Sequence, residues 1–169
     1  NTGVGYAVLL VNTTGTNNTG VGVNALQANT TASDNTAVGR NALLSNTDGH
    51  SNTALGSQAG DSITTGDENT VVGHGALDGA TTVSGNTAVG TDTMGSTSYA
   101  GSYNTAVGYN AMLVATTADG ITAVGNQCLD ALTTGSNNTG VGAAALGACS
   151  NGGKHTAIGY GALRDQTGG

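Results

Sequence analysis

A pentapeptide of the form Asn-Thr-Ala-Val-Gly returns ten times along this 169-residue chain, at a spacing of 17 residues. A fixed period of this kind implies a stack of equivalent units in which each contacts only its neighbours. The units start at Asn1, Asn18, Asn35, Asn52, Asn69, Asn86, Asn104, Ile121, Asn138 and His155, so residues 1–169 read as one repeat domain. The unit from Asn86 to Tyr103 has 18 residues, and the last stops after 15 at Gly169. With positions numbered 1 to 17 inside a unit, position 2 is Thr and position 5 is Gly in all ten. Position 4 is Val except at Leu55 and Ile158, and position 3 is Gly or Ala except at Val71. Position 8 is usually Ala, position 9 usually Leu or Met, and position 13 is Ser or Thr throughout, Thr167 included.

Each of these files has a physical reading. In a parallel β-solenoid the same position of successive coils stacks at the strand spacing, ~4.8 Å. Positions 4 and 9 are expected inside, because an interior file must carry apolar side chains of one size. An invariant Gly at position 5 marks a corner that only Gly turns cheaply. Stacked Thr suits a pleated surface, and stacked Asn at position 1 can pass amide hydrogen bonds from coil to coil. Residues 2–5 and their equivalents therefore read as a short strand. Positions 8 to 14 are expected to hold a second strand, with a single helical or 3₁₀ turn around Asn-Ala-Leu as the alternative; seven residues are too few for an independent helix. The fold class expected is all-β, a parallel β-solenoid of about ten 17-residue coils.

Composition narrows the function. Gly is 30 of 169 residues, and Pro, Trp and Phe are absent. Without Pro, every backbone N–H can join a ladder. The strict register argues against disorder, which needs no aliphatic residue at fixed intervals. The net charge is −7, and the only basic residues are Arg40, Lys154 and Arg164. That excludes a nucleic-acid surface and electrostatic attachment to anionic lipid. The longest apolar run, Tyr6 to Val11, is too short to span a membrane. The chain opens and closes inside the repeat, so a segment of a longer fibre, or a protomer that stacks end to end, is expected.

The polar residues do not converge on chemistry. His50, His74 and His155 fall at different positions of the coil, and no Ser-His-Asp arrangement can be drawn, so an enzyme is not expected and no cofactor is implied. Gly-x-Gly recurs with the period and lacks the following helix of a phosphate loop. Asp34, Asp67, Glu68 and Asp119 lie in the turn before a new coil, but the Gly-Gly-x-Gly-x-Asp of calcium-binding β-rolls is missing; Asp67 and Glu68 are the best cation candidates. Cys128 and Cys149 occupy different positions of adjoining coils and are expected as free, buried thiols. Asn12, Asn17, Asn29 and Asn137 stand in Asn-x-Ser/Thr sequons, which marks them as candidate glycosylation sites of a glycoprotein.

Asn35-Thr36-Ala37-Val38-Gly39 and Asn104-Thr105-Ala106-Val107-Gly108 resemble the Asn-Ser-Val-Ala-Ile-Gly signature of trimeric autotransporter adhesin heads, which are homotrimers of parallel left-handed β-rolls. The string from Asn104 to Leu113 is also similar to the Asn-Thr-Ala-Val-Gly-Tyr-x-Ala-Leu repeats of phage and aquatic-virus tail fibres. The resemblance covers nearly the whole chain at the level of the repeat. It departs from the adhesin heads in its longer period, in Thr where they have a first aliphatic residue, and in lacking a coiled-coil stalk or membrane anchor. It implies an extracellular, cell-surface or virion-surface fibre: a structural filament, adhesin or tail-fibre shaft. Self-association is expected, as a homotrimer or as an end-to-end filament, because a thin coil must offset roughly 1.5 kcal/mol of ordering entropy per residue. Contact with a surface glycan is a further expected partner, and neither nucleic acid nor membrane insertion is expected. The alternative function is a ligand-binding solenoid that presents a flat Thr ladder to ice or glycan.

Overall fold

Like stacks on like along the whole molecule. The protein's computed structural model describes residues 1–165; the Ser/Thr expected at position 13 of the last coil, Thr167, lies outside them. Ten three-residue strands, β1 (Thr2–Val4), β2 (Thr19–Val21), β3 (Thr36–Val38), β4 (Thr53–Leu55), β5 (Thr70–Val72), β6 (Thr87–Val89), β7 (Thr105–Val107), β8 (Thr122–Val124), β9 (Thr139–Val141) and β10 (Thr156–Ile158), form one parallel sheet in chain order. Thr pairs with Thr and aliphatic with aliphatic at every step. The fold is a parallel β-solenoid of about ten coils.

Position 4 is not an interior file. Successive side chains of a strand point to opposite faces, so positions 2 and 4 share one face and position 3 takes the other. Position 3 is the buried one: Ala37, Ala54, Val71, Ala88, Ala106 and Ala123 have no exposed surface. The aliphatic file at position 4 faces outward, with Val4 59%, Leu55 49% and Ile158 73% exposed and the others half-buried between their neighbours. Position 3 is small in nine coils, and in the other Val71 is buried along with Leu77 of the same coil; position 9 is buried as expected, from Leu26 and Leu43 to Leu146. Sizes compensate locally. A β-carbon added to Gly20 would lie 2.5 Å from Val8 Cγ1, and one added to Gly140 would lie 2.7 Å from Cys128 Sγ. Where Gly60 stands in place of Leu at position 9, the Ile63 side chain lies against it.

The second strand expected over positions 8 to 14 does not form, and none of the described residues is helical. The segment is a run of turns. Positions 7 and 9 both take positive φ, as at Asn24 (59°) and Leu26 (51°) or Asn41 (59°) and Leu43 (49°). A residue in the left-handed region cannot belong to an extended strand. The hydrogen bonds nevertheless continue from coil to coil around the perimeter. The Asn24 N–H donates back to Tyr6 in the preceding coil (2.8 Å), and the Leu26 N–H donates forward to Ala42 (3.1 Å). At the corner, Gly125 has φ 139°, and a β-carbon there would meet the carbonyl oxygen of Gly142 at 2.5 Å.

Inside, position 1 carries a file of buried Asn that is unbroken from Asn18 to Asn104 and resumes at Asn138 after Ile121. Each side chain closes its own coil and ties it to the next. Asn69 Nδ2 donates to the Val83 carbonyl oxygen (2.8 Å), while its Oδ1 accepts the Asn86 N–H (3.0 Å). The pattern repeats at Asn18, Asn35, Asn52, Asn86 and Asn104. A second Asn file at position 12 runs through Asn12, Asn29 and Asn46 and then gives way to Ile63, so Asn46 Oδ1 is buried without a partner. The extra residue of the long unit is absorbed away from the sheet. Tyr99 turns inward there and its hydroxyl accepts from Asn104 Nδ2 (2.5 Å), while Thr87 still pairs with Thr105.

Candidate binding face

The coil presents three hydroxyl-bearing files, and their hydrogen bonds tell them apart. At position 13 the hydroxyls are used within the chain: those of Thr13, Thr30, Thr47, Thr64, Thr116 and Thr133 each donate to a carbonyl oxygen one coil on, at 2.7–3.2 Å. At position 16 the side chain accepts the N–H of the preceding coil. Ser33 Oγ takes the Thr16 N–H (2.9 Å), His50 Nδ1 that of Ser33 (3.0 Å), and Asp67 Oδ1 that of His50 (2.7 Å). The mixture of Ser, His and Asp at that position thus shares one task, and His50 serves it as an acceptor at Nδ1. At position 2 the threonines stand on the outward side of the sheet, exposed or half-buried, and none of their hydroxyls has a partner within the described chain.

Positions 2 and 4 together make a face three residues wide and ten rungs long. It bears Thr on one file and Val, Leu or Ile on the other. All three Lys and Arg and all ten Asp and Glu of the chain lie at other positions. The neighbouring outward position 6 shows what an unconstrained surface file looks like in this repeat: Tyr6, Val23, Arg40, Ser57, His74 and Thr91 follow one another.

Comparison with family models, with curated proteins and with solved structures gives no match.

The sequence candidates disperse over other surfaces. Asn17 and Asn137 are exposed, both at positive φ (59° and 61°), and Asn17 Nδ2 donates to Asp34 Oδ1 (3.0 Å). Asn12 is half-buried with Nδ2 on the Gly15 carbonyl oxygen (3.0 Å). Asn29 has no exposed surface, and its amide bonds Asn12 and Ala32 inside the coil. A sugar on Asn29 would require the coil to open. Asp67 is engaged by the His50 N–H, and among the described residues no three His, Cys, Asp or Glu side chains gather as metal ligands. Cys128 and Cys149 are free and buried, and burial pushes the Cys128 thiol up to about 11. Among the described residues no helix is long and apolar enough to cross a membrane.

One acidic group was not anticipated. Asp61 and Asp78 stack at position 10 of adjoining coils and line a shallow hollow with Ser62, Gly79, Thr81 and Thr97. Partial burial raises both carboxyls above the ordinary Asp value, and at Asp78 the charges of Asp61 and Asp92 raise it further. Asp130, at the same position three coils on, is raised by burial too. On the open turn, hydrogen bonds from Thr31 and Thr47 lower Asp48. The sequence signal for the position-2/position-4 face was the period of two inside each strand. It places an invariant Thr and a near-invariant Val on one side, whatever their polarity.

Proposed function

We propose that this chain is the shaft of an extracellular or virion-surface fibre, a rigid spacer with an attachment role. The observation that carries the reading is the unbroken register of the sheet. Nine successive pairings keep Thr on Thr, even across the 18-residue unit. A stack without slips transmits bending and tension along its axis, and its length is set by the number of coils at ~4.8 Å each, ~48 Å for ten. The resemblance to adhesin-head and tail-fibre repeats supports the same reading. No cluster of groups suited to catalysis gathers among the described side chains, and the absence of a basic surface disfavours nucleic acid.

Self-association, as a homotrimer or end to end, is the partnership this proposal carries, with a surface glycan as the further partner and Asn17 and Asn137 as the exposed sequon acceptors. Small-angle scattering and sedimentation of the folded protein test the proposal together. A rod whose length scales with coil number supports the shaft. A compact or disordered particle refutes it, and a monodisperse monomer at all concentrations refutes the self-association. Intact-mass measurement of native material tests glycosylation.

A further inference from the structure

The ten position-2 threonines pose a question that the fold itself does not answer. A strand needs a β-branched residue there, and Val or Ile would serve as well. The hydroxyl bonds nothing among the described residues, unlike the position-13 hydroxyls, which hold the next coil. Yet position 2 is Thr in every coil, whereas outward position 6 changes from coil to coil. The one insertion in the repeat bulges elsewhere and leaves this file in step. What is kept is the outward pair: a hydroxyl with a methyl at position 2, and an aliphatic at position 4.

We infer that this Thr–aliphatic face is an ice-binding surface, with the ordered water of an ice lattice as its ligand. The chemistry of the face selects that ligand. It is neutral along its whole length in a chain of net charge −7, which suits a neutral lattice and not an ionic partner. Apart from Leu55, its side chains are short and β-branched, so they are held in few rotamers and lose little freedom on contact. Hydroxyls recur at every rung, ~4.8 Å apart along the file, and alternate with methyl-bearing side chains ~6.6 Å away along the strand. Along the file that spacing is slightly wider than the oxygen repeat of hexagonal ice, which is the axis on which the hydroxyls would meet the lattice. A protein partner fits less well. The face lacks the Trp, Tyr or Arg anchors that carry protein interfaces. A glycan would need side chains that reach around its rings or an aromatic platform, and neither stands at positions 2 or 4.

The inference goes beyond the shaft reading and requires the face to be open to solvent in the native assembly. The test is thermal hysteresis and ice-crystal shaping by the purified 169-residue chain, with three variants. The wild-type chain is expected to separate freezing from melting temperature and to facet ice. Thr70→Tyr, in the middle of the face, is expected to abolish both by holding the lattice off the neighbouring rungs. Thr91→Tyr is expected to leave both unchanged, since position 6 already carries Tyr6, Tyr109 and Tyr160. Circular dichroism checks folding, and should Thr70→Tyr unfold, Thr70→Val, which keeps shape and removes only the hydroxyl, is expected to reduce the hysteresis. No activity from the folded wild type, or full activity in a folded Thr70→Tyr, overturns the inference. So does an oligomer that Thr70→Tyr dissociates, because the face would then be covered by a second copy. A rod in scattering with no hysteresis refutes the ice-binding face and leaves the shaft standing.

Discussion

Replacing Asn69 by Ala tests the inner amide file where it is most complete. Asn69 is 1% exposed and sits between intact neighbours. Its Nδ2 donates to the Val83 carbonyl oxygen (2.8 Å) and to Asn52 Oδ1 (3.0 Å), and its Oδ1 accepts the Asn86 N–H (3.0 Å). Ala removes these three and a longer one from Asn86 Nδ2 (3.3 Å), and leaves the Val83 carbonyl and the Asn86 N–H buried without partners. An orphaned buried group costs about 1–3 kcal/mol, so two such groups and a small cavity predict a loss of about 3–5 kcal/mol. The chain supplies the reverse case. Ile121 occupies the file in the eighth coil and offers no acceptor to the Asn138 N–H, while Asn138 Nδ2 keeps its bond to the Gly152 carbonyl oxygen (2.7 Å) and also reaches back to that of Gly135 (3.3 Å). Ile121→Asn restores that acceptor but removes a buried aliphatic side chain worth about 1.5–3 kcal/mol, so it should change stability by far less than Asn69→Ala, within about 2 kcal/mol of wild type. Urea unfolding followed by circular dichroism measures both. Thr70→Val one residue from Asn69 is the control, expected within about 0.5 kcal/mol because its hydroxyl holds nothing within the chain. A loss below about 1 kcal/mol for Asn69→Ala would refute the argument that this file locks the coils.

Three further outcomes follow from particular contacts. Gly125→Ala should destabilise by more than an ordinary surface change, because φ is 139° and the new methyl meets the Gly142 carbonyl oxygen at 2.5 Å; a thermal melt matching wild type would contradict the corner. Asp78→Asn should raise Tm at pH 7 and leave it unchanged at pH 3. The folded carboxyl titrates above its ordinary 3.8, so the native state binds the proton more tightly and stability falls as pH rises from about that value through the raised one; equal effects at both pH values would refute this. Cys128, with its thiol pushed up to about 11 by burial, should resist alkylation at pH 8 in the folded chain and react on unfolding, as mass spectrometry after iodoacetamide would register.

The rung, its period and its Gly corner were legible in the sequence because each rests on a steric or ladder requirement that admits few residues. So were the coil-to-coil hydrogen bonding of the position-1 Asn file, though not its burial, the interior Leu and Met of position 9, and the two free buried thiols. The outward placement of the aliphatic file at position 4 is not legible from hydrophobicity, which favours the interior. Parity decides instead: in a three-residue strand only the middle side chain enters, and this narrow coil admits little beyond Gly or Ala there. The turn run was illegible for another reason. Leu26 and Leu43 are residue types that avoid the left-handed region when left alone, and only the coils above and below impose it. The acceptor role of position 16 was hidden because Ser33, His50 and Asp67 share no side-chain class, only a lone pair at the same height.

The direction of the hydrogen bonds links this local strain to a shaft. Within one coil some N–H groups donate backward, as Gly22 to Val4 (2.8 Å) and Asn24 to Tyr6 (2.8 Å), and others donate forward, as Thr19 to Asn35 (2.8 Å) and Leu26 to Ala42 (3.1 Å). No coil can therefore satisfy its own backbone. A left-handed Leu or Met costs roughly 1–2 kcal/mol, and that cost is offset only when both neighbours are in place. An isolated coil is unstable, an end coil is half-supported, and an inner coil is held from both sides, so stability is a nearest-neighbour property that grows with the length of the stack. A chain built this way gains nothing from a pocket and much from repetition. Its inner files are free to be uniform for cohesion, and its outer face inherits the same grid, which is the property a rigid fibre and a lattice-matching surface both require.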